Sequence, residues 1–393
     1  MFAILRNNRN PLLRIGALFS ALWLAACEPI PLSGGNTGQR VDTSTPIPVA
    51  LLVPGGSGSS DEETIARALR QSAQLAISDL KDVRIDLRVY NTGGNAGQAA
   101  QVAAKAVDEG AKIILGPVFA EAANAAGLAV APRNVNVLAF SNNTAIAGGN
   151  VFVLGPTFPN TANRLARYAS ATGKKRILVV HEQTPAGEIG AAAIEGAVAR
   201  AGGSVVSKAS FPFSQQGVSS AVPQIAQRVK AGDVDALFMT ADAAGALPLL
   251  AQMLPEQGAG PATAQYIGLT RWDVPPATLS LPGLQGGWFA LPDPALNNQF
   301  QARYQAAYGE APHPIAGLAY DGIAAIGALV KSGNPNALTK AGLTQGSGFA
   351  GVNGIFRLRP DGSNERGLAI ATVRNGQAVV IDPAPRSFGG AGF

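Results

Sequence analysis

The stretch Ile47-Pro48-Val49-Ala50-Leu51-Leu52-Val53, followed by Pro54-Gly55-Gly56-Ser57-Gly58 and then by the run 61–80, decides the fold. Seven mostly apolar residues suit a buried strand, and the glycines end it. In 61–80, Ile65, Leu69, Ala73, Ala76, Ile77 and Leu80 share one helical face. Asp61, Glu62 and Glu63 open that run, as acids do at a helix start. The cycle repeats through strands 83–90, 112–115 and 135–140 and helices 96–109 and 119–131. Such alternation predicts βαβ units and a mostly parallel sheet.

After Gly148-Gly149 the cycle starts again. Helices at 160–172, 187–201, 218–231 and 244–254 alternate with strands at 176–181, 204–211, 234–240 and 264–270. A strand-like run at 286–291 precedes helices 294–308 and 315–331. The last set, 352–358, 367–374 and 377–381, has turns at Asp361-Gly362 and Asn375-Gly376, which read as hairpins. Two successive α/β sets give two lobes, with 383–393 as a loose tail.

Before this body lies a different kind of sequence. Arg6, Arg9 and Arg14 precede twelve mostly apolar residues, Ile15 to Ala26. That is shorter than the roughly 20 residues a membrane span needs. It reads as an export signal, 1–26. The run ends Leu24-Ala25-Ala26-Cys27, and Cys27 is the chain's single cysteine. The string resembles the bacterial lipobox, in which the thiol carries a lipid. Residues 27–46 then read as a lipidated cysteine and a flexible tether rich in Pro, Gly, Ser and Thr. Glu28, in place of an aspartate, leans toward the outer membrane over the inner.

Composition narrows the function. Of 393 residues, 47% are hydrophobic and 14% charged, a globular balance. Without the signal, 27 basic residues face 25 acidic ones, so the mature charge is only +2. The run Lys174-Lys175-Arg176 has no interleaved aromatics, which argues against nucleic acid. One cysteine and two histidines, His181 and His313, leave little for a metal site or a cofactor. The same scarcity argues against an enzyme. The spelling Gly346-x-Gly348-x-x-Gly351 precedes a strand, the wrong setting for a dinucleotide loop.

In open α/β sheets, ligands sit beyond the carboxyl ends of strands. Ser57 lies there, after strand 47–53. Gly116, Pro117 and Phe119 follow strand 112–115, in a loop that either receives an anion at the next helix start or simply turns. Ser141, Asn142, Asn143 and Thr144 either bind polar atoms or cap a turn. Asp242 follows strand 234–240, and Thr270-Arg271-Trp272-Asp273 follows strand 264–270. Thr270 and Trp272 join the cleft candidates, although a Trp packed at a crossover between lobes is equally consistent.

Several strings, in order, resemble the type I periplasmic binding proteins of the branched-chain amino-acid receptor group. They are Ile113-Ile114-Leu115-Gly116-Pro117, Phe140 to Thr144, Leu318 to Ala324, and Gly354 to Leu358 with Asp361-Gly362. The resemblance implies two Rossmann-like lobes joined by three crossovers, with a small polar ligand between them. Lobe I would hold 47–155 and 286–345; lobe II would hold 156–285 and 346–382. It also implies that Asp242 could hold a ligand ammonium. Where such receptors hold a carboxylate with Ser/Thr, this chain has Val118-Phe119-Ala120-Glu121.

Gly268 to Asp273 and Leu284 to Ala290 look like a subgroup, the penicillin-binding-protein activators. The first expectation is therefore an envelope lipoprotein that regulates peptidoglycan synthesis by touching a penicillin-binding protein. The alternative is the substrate-binding lipoprotein of an ABC transporter for branched-chain amino acids or related small molecules.

Overall fold

The computed structural model describes residues 37–389. Cys27 and the signal lie outside them. The first sheet holds five strands: β1 (Ile47–Val53), β2 (Ile85–Asn91), β3 (Ile113–Leu115), β4 (Asn136–Ala139) and β5 (Val151–Val153). Their order is β2-β1-β3-β4-β5, all parallel. Helices α1 (Ser60–Asp79), α2 (Ala96–Asp108) and α3 (Ala120–Val130) connect them. Side chains alternate across the sheet. Val49, Leu51 and Val53 therefore pack with α1 on one face, and Ala50 and Leu52 with α2 and α3 on the other.

The second sheet has seven strands in the order β15-β14-β10-β9-β8-β6-β7. These are β6 (Arg176–Glu182), β7 (Ser204–Phe211), β8 (Ala236–Met239), β9 (Gln265–Gly268), β10 (Trp288–Leu291), β14 (Ala369–Arg374) and β15 (Gln377–Asp382). All pair in parallel except the closing hairpin β14–β15, which joins β10 antiparallel. Helices α4 (Phe158–Ala171), α5 (Pro185–Arg200), α6 (Gln215–Lys230) and α7 (Leu247–Glu256) flank it. Between β10 and β14 the chain forms α8 (Pro294–Tyr308), α9 (Gly317–Lys331) and α10 (Lys340–Leu343). A small antiparallel sheet follows: β11 (Phe349–Gly351), β12 (Gly354–Leu358) and β13 (Asn364–Arg366).

The fold is thus α/β, with two lobes, mostly parallel sheets and three crossovers, after β5, after β10 and after β13. The lobe boundaries differ from the expected ones. Residues 286–291 belong to lobe II, because β10 pairs with β9 and β14, and Phe289 and Leu291 enter that lobe's core. Residues 349–358 pack with lobe I, because Phe349, Phe356 and Leu358 join β1, β3 and α9 in one cluster. The chain re-enters lobe II only after Arg366.

Of the two expected loose segments, 27–46 and 383–393, the parts among the described residues, 37–46 and 383–389, make packing contacts; 27–36 and 390–393 lie outside the described residues. Residues 37–46 lie on lobe I. Asn136 Nδ2 donates to the Thr37 carbonyl at 3.3 Å, the Val41 N–H to the Pro335 carbonyl at 2.9 Å, and Val41 is buried. At the other end, Ala384 enters the lobe II core, and Arg357 lies over the Phe388 ring at 4.5 Å. A few apolar anchors suffice to hold a Pro/Gly-rich segment where its backbone polar groups find partners.

Arg366 binds the first and third crossovers together. Its Nε donates to the Leu154 carbonyl at 2.9 Å and Nη2 to the same oxygen at 2.6 Å. Nη1 donates to Asp321 Oδ2 at 2.9 Å, and Phe356 lies against the guanidinium. Both charges are buried, at 2% and 0% side-chain exposure. Asp321, on α9, also accepts from the Val352 N–H at 2.8 Å and from Asn353 Nδ2 at 3.1 Å. Both carboxylate oxygens of Asp321 and all three guanidinium nitrogens of Arg366 therefore have a partner, as a buried ion pair requires.

Candidate functional site

The loops after β3, β4, β9 and β10 meet around a cavity of about 770 Å³. This is within the usual size of small-molecule sites. Lobe I supplies Val118, Phe119, Phe140, Ser141, Asn142 and Asn143. Lobe II supplies Phe158, Thr161, Thr270, Arg271, Val274 and Leu291. Ile315, Leu318 and Arg366 complete the wall.

Gly116 turns the chain from β3 toward the cavity. Its φ is +85°, and a Cβ there would sit 2.2 Å from the Leu52 carbonyl oxygen, so only glycine fits. Gly116 and Pro117 are buried beneath the wall and support it without lining it. Phe119 lines it, with 37% of its surface exposed. Phe119 is also the N-cap of α3, and no side chain caps that helix. By contrast α1, α2, α4, α5 and α6 each open on a Ser, Thr or Asn side chain that accepts a backbone N–H. The α3 start therefore keeps donors free beside the cavity.

Ser141 lines the cavity, and its Oγ accepts the Asn143 N–H at 3.1 Å. Asn143 Oδ1 accepts the Ala145 N–H at 2.9 Å, capping a short 3-10 turn over Thr144–Ile146. Thr144 lies in that turn, outside the lining. Asn142 is exposed in the cavity, and its amide has no hydrogen-bond partner among the described residues. Thr270 lines it too, with Oγ1 donating to the Ala241 carbonyl at 3.1 Å.

Three candidates lie elsewhere. Trp272 is fully buried in lobe II, its ring centroid 5.8 Å from that of Phe289. A Cβ on Gly268 would sit 2.3 Å from its indole, so that glycine exists to admit the ring. Trp272 is core, neither cleft lining nor packing between the lobes. Asp242 is exposed at the end of β8, outside the lining. Beside it, the Glu182 carboxyl is pushed above its usual range, first by burial and then by the charge of Asp242, while Thr240 Oγ1 donates to it at 3.2 Å. Ser57 sits in the exposed β1–α1 loop, where its Oγ accepts the Ser59 N–H at 3.1 Å. In that loop the Gly56 N–H is taken by Glu63 Oε1.

Sequence reasoning did not choose Arg271, Phe158, Val274 or Ile315. Arg271 stood in the quoted string after β9 and was passed over for its aromatic neighbour. The others carry no local signal, since each belongs to an ordinary apolar pattern. Arg271 Nε donates to Asp273 Oδ1 at 2.9 Å, and Nη2 donates to Oδ2. The two histidines stay out of the site's chemistry. His181 is buried with Nδ1 3.2 Å from the Glu182 carbonyl oxygen. Burial holds His313 below its usual pKa, partly offset by the charge of Asp61. Among the described residues no cluster could hold a metal ion, and no helix is long and apolar enough to cross a membrane.

Comparison with known proteins places this geometry. No curated protein matches the chain. Solved structures do. A periplasmic ligand-binding protein of a branched-chain amino acid ABC transporter from Burkholderia xenovorans superposes with a TM-score of 0.68 at 18% identity, over 86% of this chain and 96% of that one. An ABC transporter substrate-binding protein from Desulfitobacterium hafniense, in complex with Leu, gives 0.64 at 16% identity, over 86% and 100%. A solute-binding protein of an ABC transporter from Rhodopseudomonas palustris, in complex with 3,4-dihydroxybenzoic acid, gives 0.58 at 19% identity, over 86% and 98%. At such identities the likeness concerns the fold. The family model described as periplasmic binding protein matches residues 46–378, nearly the whole body, and the chain belongs to that family.

Proposed function

We propose that this protein is an exported receptor that captures a small molecule with an apolar body between its lobes and presents it to an ABC transporter. The observation that carries this reading is the cavity itself. Its volume of about 770 Å³ is walled from both lobes, mainly by aromatic and aliphatic side chains with a few polar groups. Such a wall buries an apolar ligand and orients it through few contacts. Closure of the two lobes about the three crossovers would complete the enclosure. Binding without chemistry fits a cavity wall whose charged groups are two arginines.

This reading takes precedence over regulation of a penicillin-binding protein. The Gly268–Asp273 string that suggested the regulator is accounted for by packing, since Gly268 admits Trp272 and Arg271 pairs with Asp273. Branched-chain amino acids and small organic acids are the first ligands to try, because the similar D. hafniense and R. palustris proteins hold Leu and 3,4-dihydroxybenzoic acid. Calorimetry and thermal shift on the full chain test the reading. A ligand at about 100 times its dissociation constant should add roughly 2.7 kcal/mol to stability. Absence of any small-molecule binding, together with capture of a peptidoglycan synthase, would replace the receptor by the regulator.

We also propose attachment to the outer membrane by a lipid on Cys27. Cys27→Ser should abolish fatty-acid labelling and release the protein from the membrane fraction. Labelling that survives the substitution would exclude the anchor.

A further inference from the structure

The cavity wall contains two arginines and, among the described residues, no carboxylate. One arginine is unavailable, since Arg366 directs its donors at Leu154 and Asp321 and is buried. Arg271 is different. Its side chain is 37% exposed. Asp273 takes Nε and Nη2, and Nη1 has no hydrogen-bond partner among the described residues. The grip of Asp273 fixes the plane of the guanidinium and leaves an N–H edge over. Across the cavity, lobe I offers the free Asn142 amide and the uncapped start of α3 beside Phe119.

The remainder of the wall is apolar, with Phe119, Phe140, Phe158, Val274, Leu291 and Ile315 among its members. An ammonium group entering this space meets no carboxylate. Asp242 and Glu182 stand outside the lining, and Asp273 is already engaged. A desolvated cation without a counter-charge is unfavourable, whereas a carboxylate meets a guanidinium edge.

We infer that the ligand is an apolar carboxylate without an amino group, and that Arg271 is the specificity residue that pairs with it. The inference rests on the receptor reading above and narrows its substrate class. Asp273 then acts as a positioning residue for Arg271.

Two matched trios separate the possibilities by calorimetry on the full chain. One is 4-methylpentanoate, leucine and 3-methylbutylamine; the other is 3-phenylpropanoate, phenylalanine and phenethylamine. Within a trio the apolar body is held nearly constant while the charged ends change. The acid should bind about tenfold or more tightly than its amino acid, and the amine should not bind detectably. Arg271→Gln should weaken the acid by about tenfold or more, with Arg271→Lys recovering part of the loss. The thermal midpoint of the unliganded variants should stay close to that of the parent, which separates lost recognition from lost fold.

An amino acid that binds as tightly as its matched acid overturns the inference and leaves the receptor reading intact. So does Arg271→Gln with unchanged affinity for the acid. Binding of none of the six overturns the inference; the receptor reading falls with it only when a broader small-molecule panel also fails and a peptidoglycan synthase is captured.

Discussion

Arg366 and Arg271 line one cavity and carry the same charge, yet they differ in every physical respect that matters. Arg366 sits at the hinge side with both partners buried and its donors directed at Leu154 and Asp321. Arg271 sits on the lobe II wall, part-exposed, with a single carboxylate partner and one nitrogen unengaged. The first arginine is structure and the second is available for recognition. Charge in a cleft becomes a binding feature only where its hydrogen-bonding capacity is left over.

The contrast is open to direct attack. Asp321→Ala should be the most damaging change, because it leaves the Arg366 guanidinium buried without its counter-ion. A loss of about 3–5 kcal/mol is expected by urea unfolding. A loss below about 1 kcal/mol would mean that the hinge pair is hydrated and that the two arginines are less different than they look. Gly268→Ala comes next. Its new methyl group would meet the Trp272 indole at 2.3 Å, and overpacking of this kind costs about 1–3 kcal/mol. A neutral outcome would mean that the ring has room to move, reopening a place for Trp272 at the cleft.

A smaller, pH-dependent effect is expected at Glu182. Burial, and then the charge of Asp242, raise its folded-state pKa above the usual glutamate range. The neutral form is therefore favoured by folding, and its contribution is fully present below the unfolded pKa and lost as pH rises through the folded one. The thermal midpoint of the parent, relative to Glu182→Gln, should fall as pH is raised from acid toward neutral. An equal separation at all pH values would show that the carboxyl is solvated. The smallest stability change belongs to Arg271→Gln, within about 1 kcal/mol, because the guanidinium it removes is part-exposed to water. A larger loss would make Arg271 a second structural arginine and remove the comparison.

The alternation of apolar runs and amphipathic segments made most strands and helices legible, including β1, the α1 face and the closing hairpin. Short elements were missed. β5, β11 and β13 have three residues each, too few for a period to show. The lobe boundaries were misplaced for a related reason. Trp288–Leu291 reads as a strand from its own residues, but which sheet receives it depends on β9 and β14. Of the proposed cleft residues, Phe119, Ser141, Asn142, Asn143 and Thr270 reach the cavity wall. Each of these follows a strand end, where topology directs side chains toward the other lobe. Ser57 and Asp242 also follow strand ends, but of strands whose loops stay outside the cavity.

By itself the sequence determined the α/β class, the parallel sheets and the loops in which to look, because these follow from local periodicity and turn residues. Only the tertiary structure decided that Trp272 is core, that residues 37–46 are packed, and that Arg271 rather than Arg366 retains a free donor. The partners of Arg366 lie 45 and 212 residues away in the chain. Whether a polar group is satisfied is a property of what folding brings beside it, and no local pattern records it.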